Sequence, residues 1–374
     1  MTSRSTLRSW LVCAVTLSTL FVDANAQDSK ILDISPYDRR HAQEVVESLQ
    51  QATAGNTIDD PSLKPWHLKL NFQLFNNDGT ATENGTIEEW WAGRSLHKTV
   101  YTSPSYTSTE IHTKNGFYRS RGAVSVPILL ELIERQVVHP LPNEKDIVDS
   151  KPISRPINFD KTPLNCIILS GEIGALEAGV PRDQQKQGAT YAAGPPPGLF
   201  PTYCFDRDER SLRTSYDFGN QLTTRTRIGT FQRKKVVVDQ TTTIGFVKAI
   251  TAHLAALETM PLTDGDFTPS AEFEKVDINP VAIPSDVIAN SLVSHIAPVY
   301  PETHKKSHVA GQVVLRAMIS REGQVHTLKL LSTPNAELGF AALAAVRQWT
   351  YRPYLQNGEP VEVDTKIIVS FNGS

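Results

Sequence analysis

The sequence is poor in the features that define several large protein classes. Of its 374 residues only three are cysteine, and 37 Lys and Arg stand against 40 Asp and Glu. Without a basic surplus, nucleic-acid binding is disfavoured. No apolar run reaches the roughly 20 residues that cross a bilayer as a helix, which excludes a protein with several membrane spans. Apolar residues still make up 40% of the chain, which is ordinary for a globular protein.

Motifs for catalysis and metal binding are also missing. The sequence contains no H-E-x-x-H, no G-x-S-x-G and no phosphate-binding P-loop. His304 and His308 are four residues apart, but two lysines separate them and no third ligand is evident, which favours a solvated helix over a metal site. The sequence therefore predicts a protein that is not an enzyme and that uses no metal or cofactor.

The first 26 residues have the layout of a secretory signal peptide. Arg4 and Arg8 precede a largely apolar run over residues 10–22, and the run is followed by Ala24-Asn25-Ala26. A basic start, a short apolar stretch and an A-x-A site are typical of a cleaved export signal. We expect cleavage after Ala26. The alternative is an uncleaved signal that anchors the chain in the inner membrane.

Export also bears on the cysteines. Once Cys13 leaves with the signal, only Cys166 and Cys204 remain. An even pair in an oxidising compartment is most simply one disulfide. The spacing of a C-x-x-C redox motif is absent. We therefore predict a disulfide between Cys166 and Cys204, at the base of a Gly- and Pro-rich loop over residues 179–202.

Hydrophobic periodicity predicts one large domain in the first part of the mature chain. From Trp66 to Leu74 apolar and polar residues alternate, as in a half-buried antiparallel strand. Helical stripes occur over residues 37–54 and 126–138, and further strand signals follow. Residues 246–257 fit either a helix or a last strand. The pattern predicts an α+β domain dominated by an antiparallel sheet, spanning residues 27–260.

A proline-containing polar segment, residues 261–294, predicts a linker to a second domain. Beyond it, alternation over Val313–Ile319 and Val325–Leu331 predicts two strands joined by a turn. A helical face follows from Leu338 to Trp349, and Val361–Phe371 alternates again. The predicted order is β-β-α-β, a small sheet with a helix on one face, over residues 295–374.

This C-terminal segment resembles the TonB C-terminal domain family. The matching residues are Tyr300-Pro301, Gly311–Val314, Ile319–Val325, Leu338, Ala341-Ala342, Ala345-Val346, Trp349–Pro353, Gly358, Pro360-Val361 and Phe371. The resemblance implies a periplasmic protein-binding domain of a Gram-negative-type cell envelope. A partner of that family is an outer-membrane receptor.

In the family, a sheet edge pairs with an extended segment of the receptor, which is β-augmentation. The resemblance assigns this edge to the last strand. TonB-like domains can exchange strands, so a homodimer is an alternative to a monomer. The candidate residues for binding a partner strand are Val361, Val363, Thr365, Ile367, Val369 and Phe371.

The features around this segment favour an exported periplasmic adaptor. A TonB-type energy transducer needs an uncleaved membrane helix, whereas the apolar run here is short and precedes a cleavage signal. A folded domain replaces the long Pro-rich spacer of the family, and Val299 stands where the family has a receptor-contacting Gln. The energy transducer for transmembrane transport is the alternative if the signal stays uncleaved.

The N-terminal domain is similar to the LolA/LppX family of periplasmic lipoprotein and lipid carriers. The similarity lies in a lead helix, many short antiparallel strands and the local match Gly85–Trp91. It implies a half-barrel-like sheet that shelters a lipid or acyl chain, and a soluble lipid or lipoprotein carrier as a third functional alternative. The candidate residues for contacting the apolar ligand are Phe72, Trp90, Tyr101 and Phe117.

Overall fold

A computed structural model describes residues 42–143, 147, 152–159, 161–169, 198–217, 221–302 and 309–372. The predicted signal peptide, most of the predicted loop over residues 179–202, and His304 and His308 lie outside these ranges.

The N-terminal part is built on an antiparallel sheet of thirteen strands. The first twelve strands in chain order are β1 (Trp66–Phe75), β2 (Ala81–Gly93), β3 (Leu96–Thr102), β4 (Thr107–Thr113), β5 (Gly116–Ser120), β6 (Ile153–Phe159), β7 (Thr162–Ile168), β8 (Thr202–Asp206), β9 (Leu212–Asp217), β10 (Gln221–Phe231), β11 (Lys234–Ile244) and β12 (Val247–Thr259). The thirteenth strand is β13 (Phe273–Val276). Their order in the sheet is β13-β5-β4-β3-β2-β1-β12-β11-β10-β9-β8-β7-β6.

The predicted alternation of β1 is confirmed. Trp66, Leu68 and Leu70 are buried, and the residues between them are partly exposed. The register with β2 places Trp66 opposite Trp91, and the two rings stack with centroids 5.5 Å apart. Residues 246–257, which fit helix or strand, form β12 and pair with β1 and β11. Pairing on both sides favours the strand despite the alanine-rich sequence.

Two helices pack on one face of this sheet, which we call the inner face. Helix α1 (Ala42–Asn56) buries Leu49 against strands β7 and β8. Helix α2 (Ile128–Val138) follows Pro127, as expected, and its apolar side packs on the strands around β1. Buried on this side of α2 are Leu130, Leu132, Ile133, Val137 and Val138. The α2 prediction is confirmed.

The predicted disulfide is also confirmed. Cys166 in β7 and Cys204 in β8 are directly opposed in the sheet, with Cα atoms 3.9 Å apart, and are bonded. Both cysteines are buried with Ile157 and Leu164 in a small apolar cluster.

The segment predicted as a linker contributes strands to both sheets. After a 3₁₀ turn at Asp264–Phe267, β13 extends the large sheet by pairing with β5. Strand β14 (Val281–Ala282) joins the second sheet, helix α3 (Ser285–Ala289) follows, and β15 (Leu292–Ser294) pairs with a later short strand. Pro280 precedes β14 and Pro284 follows it, so neither proline removes a backbone donor from this strand.

The C-terminal sheet has four strands in the order β14-β21-β16-β17. Its later elements are β16 (Ala310–Ile319), β17 (Val325–Ser332), helix α4 (Ala336–Val346), β18 (Thr350–Tyr351), β19 (Leu355–Gln356), β20 (Glu359–Pro360) and β21 (Val363–Asn372). Asn335 caps α4 by accepting a hydrogen bond from the backbone N–H of Leu338 at 2.9 Å. The apolar side of α4 packs on the sheet.

The two parts share apolar packing. Ile153, Ile168, Leu199 and Phe200 belong to the same buried cluster as the C-terminal strands and α4. A polar contact also joins the two parts: the backbone N–H of Ser125 donates to Glu322 Oε1 at 3.0 Å. The Ser125–Glu322 hydrogen bond brings the start of β17 close to the start of α2.

Candidate functional site

Strand β21 presents an incompletely paired edge. On one side it pairs with β16 over ten residues without a register shift. On the other side β14 covers only its beginning: Val281 N–H donates to Glu362 at 2.7 Å, and Ile283 N–H donates to Asp364 at 3.0 Å. In the remainder of β21 no strand of the described residues pairs with this side, although helix α3, which follows β14, packs against β21 and buries Ile288 in the same core.

The residues at this edge follow from the alternation of strand backbones. Because the carbonyl of Asp364 points to β14, the backbone groups of every second residue after it also point away from β16. These residues are Lys366, Ile368 and Ser370, and we call them the open edge. Their side chains are exposed; that of Ile368 is 48% exposed although it is apolar.

The residues predicted from the sequence lie on the same strand but in the alternate positions. The side chains of five of them are buried in the C-terminal core, and their backbone groups point to β16. The Thr365 hydroxyl donates to the Ile283 carbonyl at 2.7 Å, and Val361, outside β21, donates to Tyr354 at 3.0 Å. The five buried residues are Val363, Thr365, Ile367, Val369 and Phe371.

A second candidate site is a cavity of about 280 Å³ beside the inner face. Its walls come from β3, β4, β10, α2 and β17, so both parts of the chain contribute. His326 of β17 reaches Glu131 of α2, with Nδ1 and Oε2 3.6 Å apart. We call this space the inner cavity. Polar side chains form most of its lining.

Carboxyl groups dominate the charge of the inner cavity. Glu110 is paired with Arg119 at 2.7 Å, and both side chains are almost fully buried. Glu134 accepts a hydrogen bond from the Tyr101 hydroxyl. Burial raises the pKa of Glu134 to about 7, and the neighbouring carboxyls of Glu110 and Glu131 add to the rise.

Two further groups lie on the same wall. His97 and His112 stack with ring centroids 4.1 Å apart, and burial lowers the pKa of both, that of His112 to about 3. Their imidazoles are therefore neutral at pH 7. In the neighbouring row Glu89 lies opposite Thr99, and burial raises its carboxyl pKa well above the usual range.

The residues predicted to contact an apolar ligand are not brought together. Tyr101 lines the inner cavity. Phe72 and Phe117 are buried on the inner face but lie outside the lining. Trp90 is on the opposite face, where its ring stacks on His67 at 4.8 Å and lies 4.5 Å from the Lys98 ammonium. Their role in ligand binding stays a prediction.

Residues 296–372 match the family model described as the Gram-negative bacterial TonB protein C-terminal. The C-terminal segment is TonB-like. The resemblance expected from the sequence is thus confirmed for about 77 residues, and β16, β17, α4 and β21 form the TonB-like domain. The protein TonB of Vibrio cholerae serotype O1 is 26% identical over 104 residues, which cover 28% of this chain and 41% of that protein.

Solved structures similar to the chain include a LolA superfamily protein from Nitrosomonas europaea. It is 11% identical, with a TM-score of 0.37, over 61% of this chain and 97% of that one. A DUF1329 family protein from Desulfovibrio piger is 8% identical, with a TM-score of 0.37, over 61% and 95% of the two chains.

No helix among the described residues is long and apolar enough to span a membrane. Within the same ranges no group of three or more His, Cys, Asp or Glu side chains is arranged to hold a metal ion.

Proposed function

We propose that this chain is an exported periplasmic adaptor whose TonB-like domain binds an extended strand of a partner protein, such as an outer-membrane receptor. The open edge is the observation that carries the proposal. The backbone groups of Lys366, Ile368 and Ser370 point away from β16 and pair with no other strand of the described residues, so an added strand can use them. The exposed Ile368 side chain supplies an apolar contact on the sheet surface.

The position of β14 limits where the partner lies. Because β14 already occupies the edge at Glu362 and Asp364, the partner strand runs beside residues 366–372. An edge of this length without a bulge or proline is one that proteins usually protect against chance pairing. A partner strand bound there would cover these backbone groups.

Two alternative functions can be tested separately from the adaptor. A TonB-type energy transducer requires that residues 10–22 remain as a membrane anchor, which the N-terminal residue and cell fraction of the mature protein decide. A carrier for acyl chains requires an apolar cavity, whereas the inner cavity is lined mainly by polar side chains. The adaptor therefore fits the described geometry better than the carrier.

Replacing Ser370 with proline should weaken partner binding and leave the TonB-like domain folded. Proline removes the N–H that points away from β16, and a proline at a sheet edge is tolerated. We would place a photo-crosslinking residue at Lys366 in cells, identify the crosslinked segment by mass spectrometry, and titrate a synthetic peptide of that segment into the full chain. We expect at least about a tenfold loss of peptide affinity in Ser370→Pro.

The matched control is Ser370→Ala, which keeps the backbone donor and should bind the peptide like the native chain. Binding should also protect the amides of Ile368 and Ser370 from hydrogen exchange. Equal affinity of the proline and alanine variants, with both folded by circular dichroism, would show that the partner does not pair with this edge.

A further inference from the structure

We propose that the inner cavity binds a small organic cation, a primary amine that also carries a hydroxyl or carbonyl oxygen. This site lies apart from the open edge and does not depend on partner binding. The proposal rests on three properties of the cavity: polar side chains with no partner, an excess of carboxyl groups, and walls that suit a polar ligand.

Unpartnered polar groups are the first property. Gln221 lines the cavity and is only 4% exposed, yet its Nε2 has no hydrogen-bond partner among the described residues. Glu89 is 1% exposed, and its Oε2 has no partner in the same ranges. Glu89 lies in one cross-strand row with Thr99 and Glu110, both of which line the cavity. Glu89 is not itself one of the lining residues. Buried polar atoms are almost always paired, so the Gln221 amide, which does line the cavity, is available to a polar ligand there.

The second property is the imbalance of charge. Arg119 neutralises Glu110, and the exposed Arg135 stands one helical turn after Glu131 at the cavity rim. No cation of the described residues forms an ion pair with Glu134, whose only hydrogen bond there comes from the Tyr101 hydroxyl. An ammonium group in the cavity would supply the missing positive charge and donate to this carboxylate.

The third property is the shape and chemistry of the walls. A volume of about 280 Å³ corresponds to roughly nine water molecules, which suits a ligand of sugar size. Tyr101 and the neutral imidazoles of His97 and His112 provide aromatic surface that tolerates a cation. The Gln221 Nε2 is a donor, so the ligand needs an acceptor oxygen in addition to its amine. An acyl chain would satisfy none of these groups.

Calorimetric titration of the full chain with glucamine tests the proposal. Sorbitol is the matched neutral probe, because a hydroxyl replaces the amine in a molecule of the same size. Butylamine is a second monocation and lacks an acceptor oxygen. We expect glucamine to bind with a Kd below about 1 mM, sorbitol at least tenfold more weakly, and butylamine between them.

The variant Glu134→Gln should weaken glucamine at least about tenfold, because it removes the charge and keeps an oxygen that accepts from Tyr101. The control Glu209→Gln changes an exposed carboxyl far from the cavity and should leave binding unchanged. Near-ultraviolet circular dichroism shows whether each variant keeps its native packing.

Proton release gives a readout that a merely structural role of Glu134 would not produce. Because the pKa of Glu134 is raised to about 7, part of the population is protonated at pH 7, and a bound ammonium would ionise it. Titrations in buffers of different ionisation enthalpy should therefore report net proton release with glucamine, and this release should be lost in Glu134→Gln. No glucamine binding at about 10 mM, or equal binding of sorbitol, would overturn the proposal.

Discussion

Replacing Gly323 with alanine is expected to unfold the TonB-like domain. Gly323 has a φ of +83°, and a Cβ on it would overlap the backbone carbonyl oxygen of Tyr351. The same turn holds two backbone hydrogen bonds: Gly323 N–H donates to Ser320 at 2.9 Å, and Tyr351 N–H donates to Gly323 at 2.7 Å. The methyl group cannot be accommodated without breaking them. We expect a loss of about 4 kcal/mol or more in the free energy of unfolding.

Gly358→Ala is the matched control for Gly323→Ala. Gly358 has nearly the same backbone conformation, with a φ of +88°, but nothing lies within 4 Å of its added Cβ. Only the left-handed conformation is penalised there, at about 1–2 kcal/mol. The difference between the two variants therefore isolates the overlap with Tyr351.

Hydrogen exchange of the full chain measures both glycine variants, because peptides from β16 and β17 report on the TonB-like domain separately from the large sheet. Gly323→Ala should remove protection from these peptides, and Gly358→Ala should retain most of it. Similar protection in the two variants would mean that the turn relaxes around the methyl group.

Replacing Arg119 with methionine is expected to lower the free energy of unfolding of the large sheet by about 3–5 kcal/mol. Arg119 and Glu110 form an ion pair at 2.7 Å with side chains only 8% and 12% exposed. Removing the guanidinium leaves a carboxylate in a buried setting that already raises its pKa. The remaining charge, rather than the lost attraction, accounts for most of the cost.

Arg227→Met is the control for Arg119→Met, because its ion pair with Asp239 is 60% and 36% exposed. Exposed pairs contribute about 1 kcal/mol or less. The double variant Arg119→Met, Glu110→Leu should recover much of the stability, since it removes both charges. Urea denaturation followed by tryptophan fluorescence and hydrogen exchange tests all three variants. Equal effects of Arg119→Met and Arg227→Met would exclude a special cost at the buried pair.

The elements of the fold with strong periodicity were predictable from the sequence. The alternation from Trp66 predicts β1, and the stripe after Pro127 predicts α2, because each pattern places apolar residues on one face. The strands of residues 261–294 could not be predicted from periodicity. They are two to four residues long and pair with strands that are distant in the sequence. Such strands have no local signal of their own.

The candidate sites were less predictable than the fold. The sequence pattern predicts the last strand but not which of its two alternating sets of residues lies at the open edge. That set is defined by the carbonyl of Asp364, which points toward β14. Glu88 and Glu89 are adjacent in sequence, and only the register with β1 turns Glu89 inward. The polar residues Lys366 and Ser370, which alternate with the buried ones, were the sequence signal for the open edge. The inner cavity had no such signal, because its walls include α2 and β17, which are distant in sequence from the strands of the sheet.

The pairing of β21 has a mechanical consequence. A pull along β21 loads its ten-residue ladder with β16 in shear, so many hydrogen bonds must break together. Strand β14 pairs with β21 over only two residues, and its contacts with β21 include two backbone donors and the Thr365 hydroxyl, which is a much shorter attachment. If a partner strand docks at the open edge as proposed, tension on it would therefore break the β14 attachment before β21 leaves β16. The two parts of the chain would then remain joined by the apolar cluster that they share.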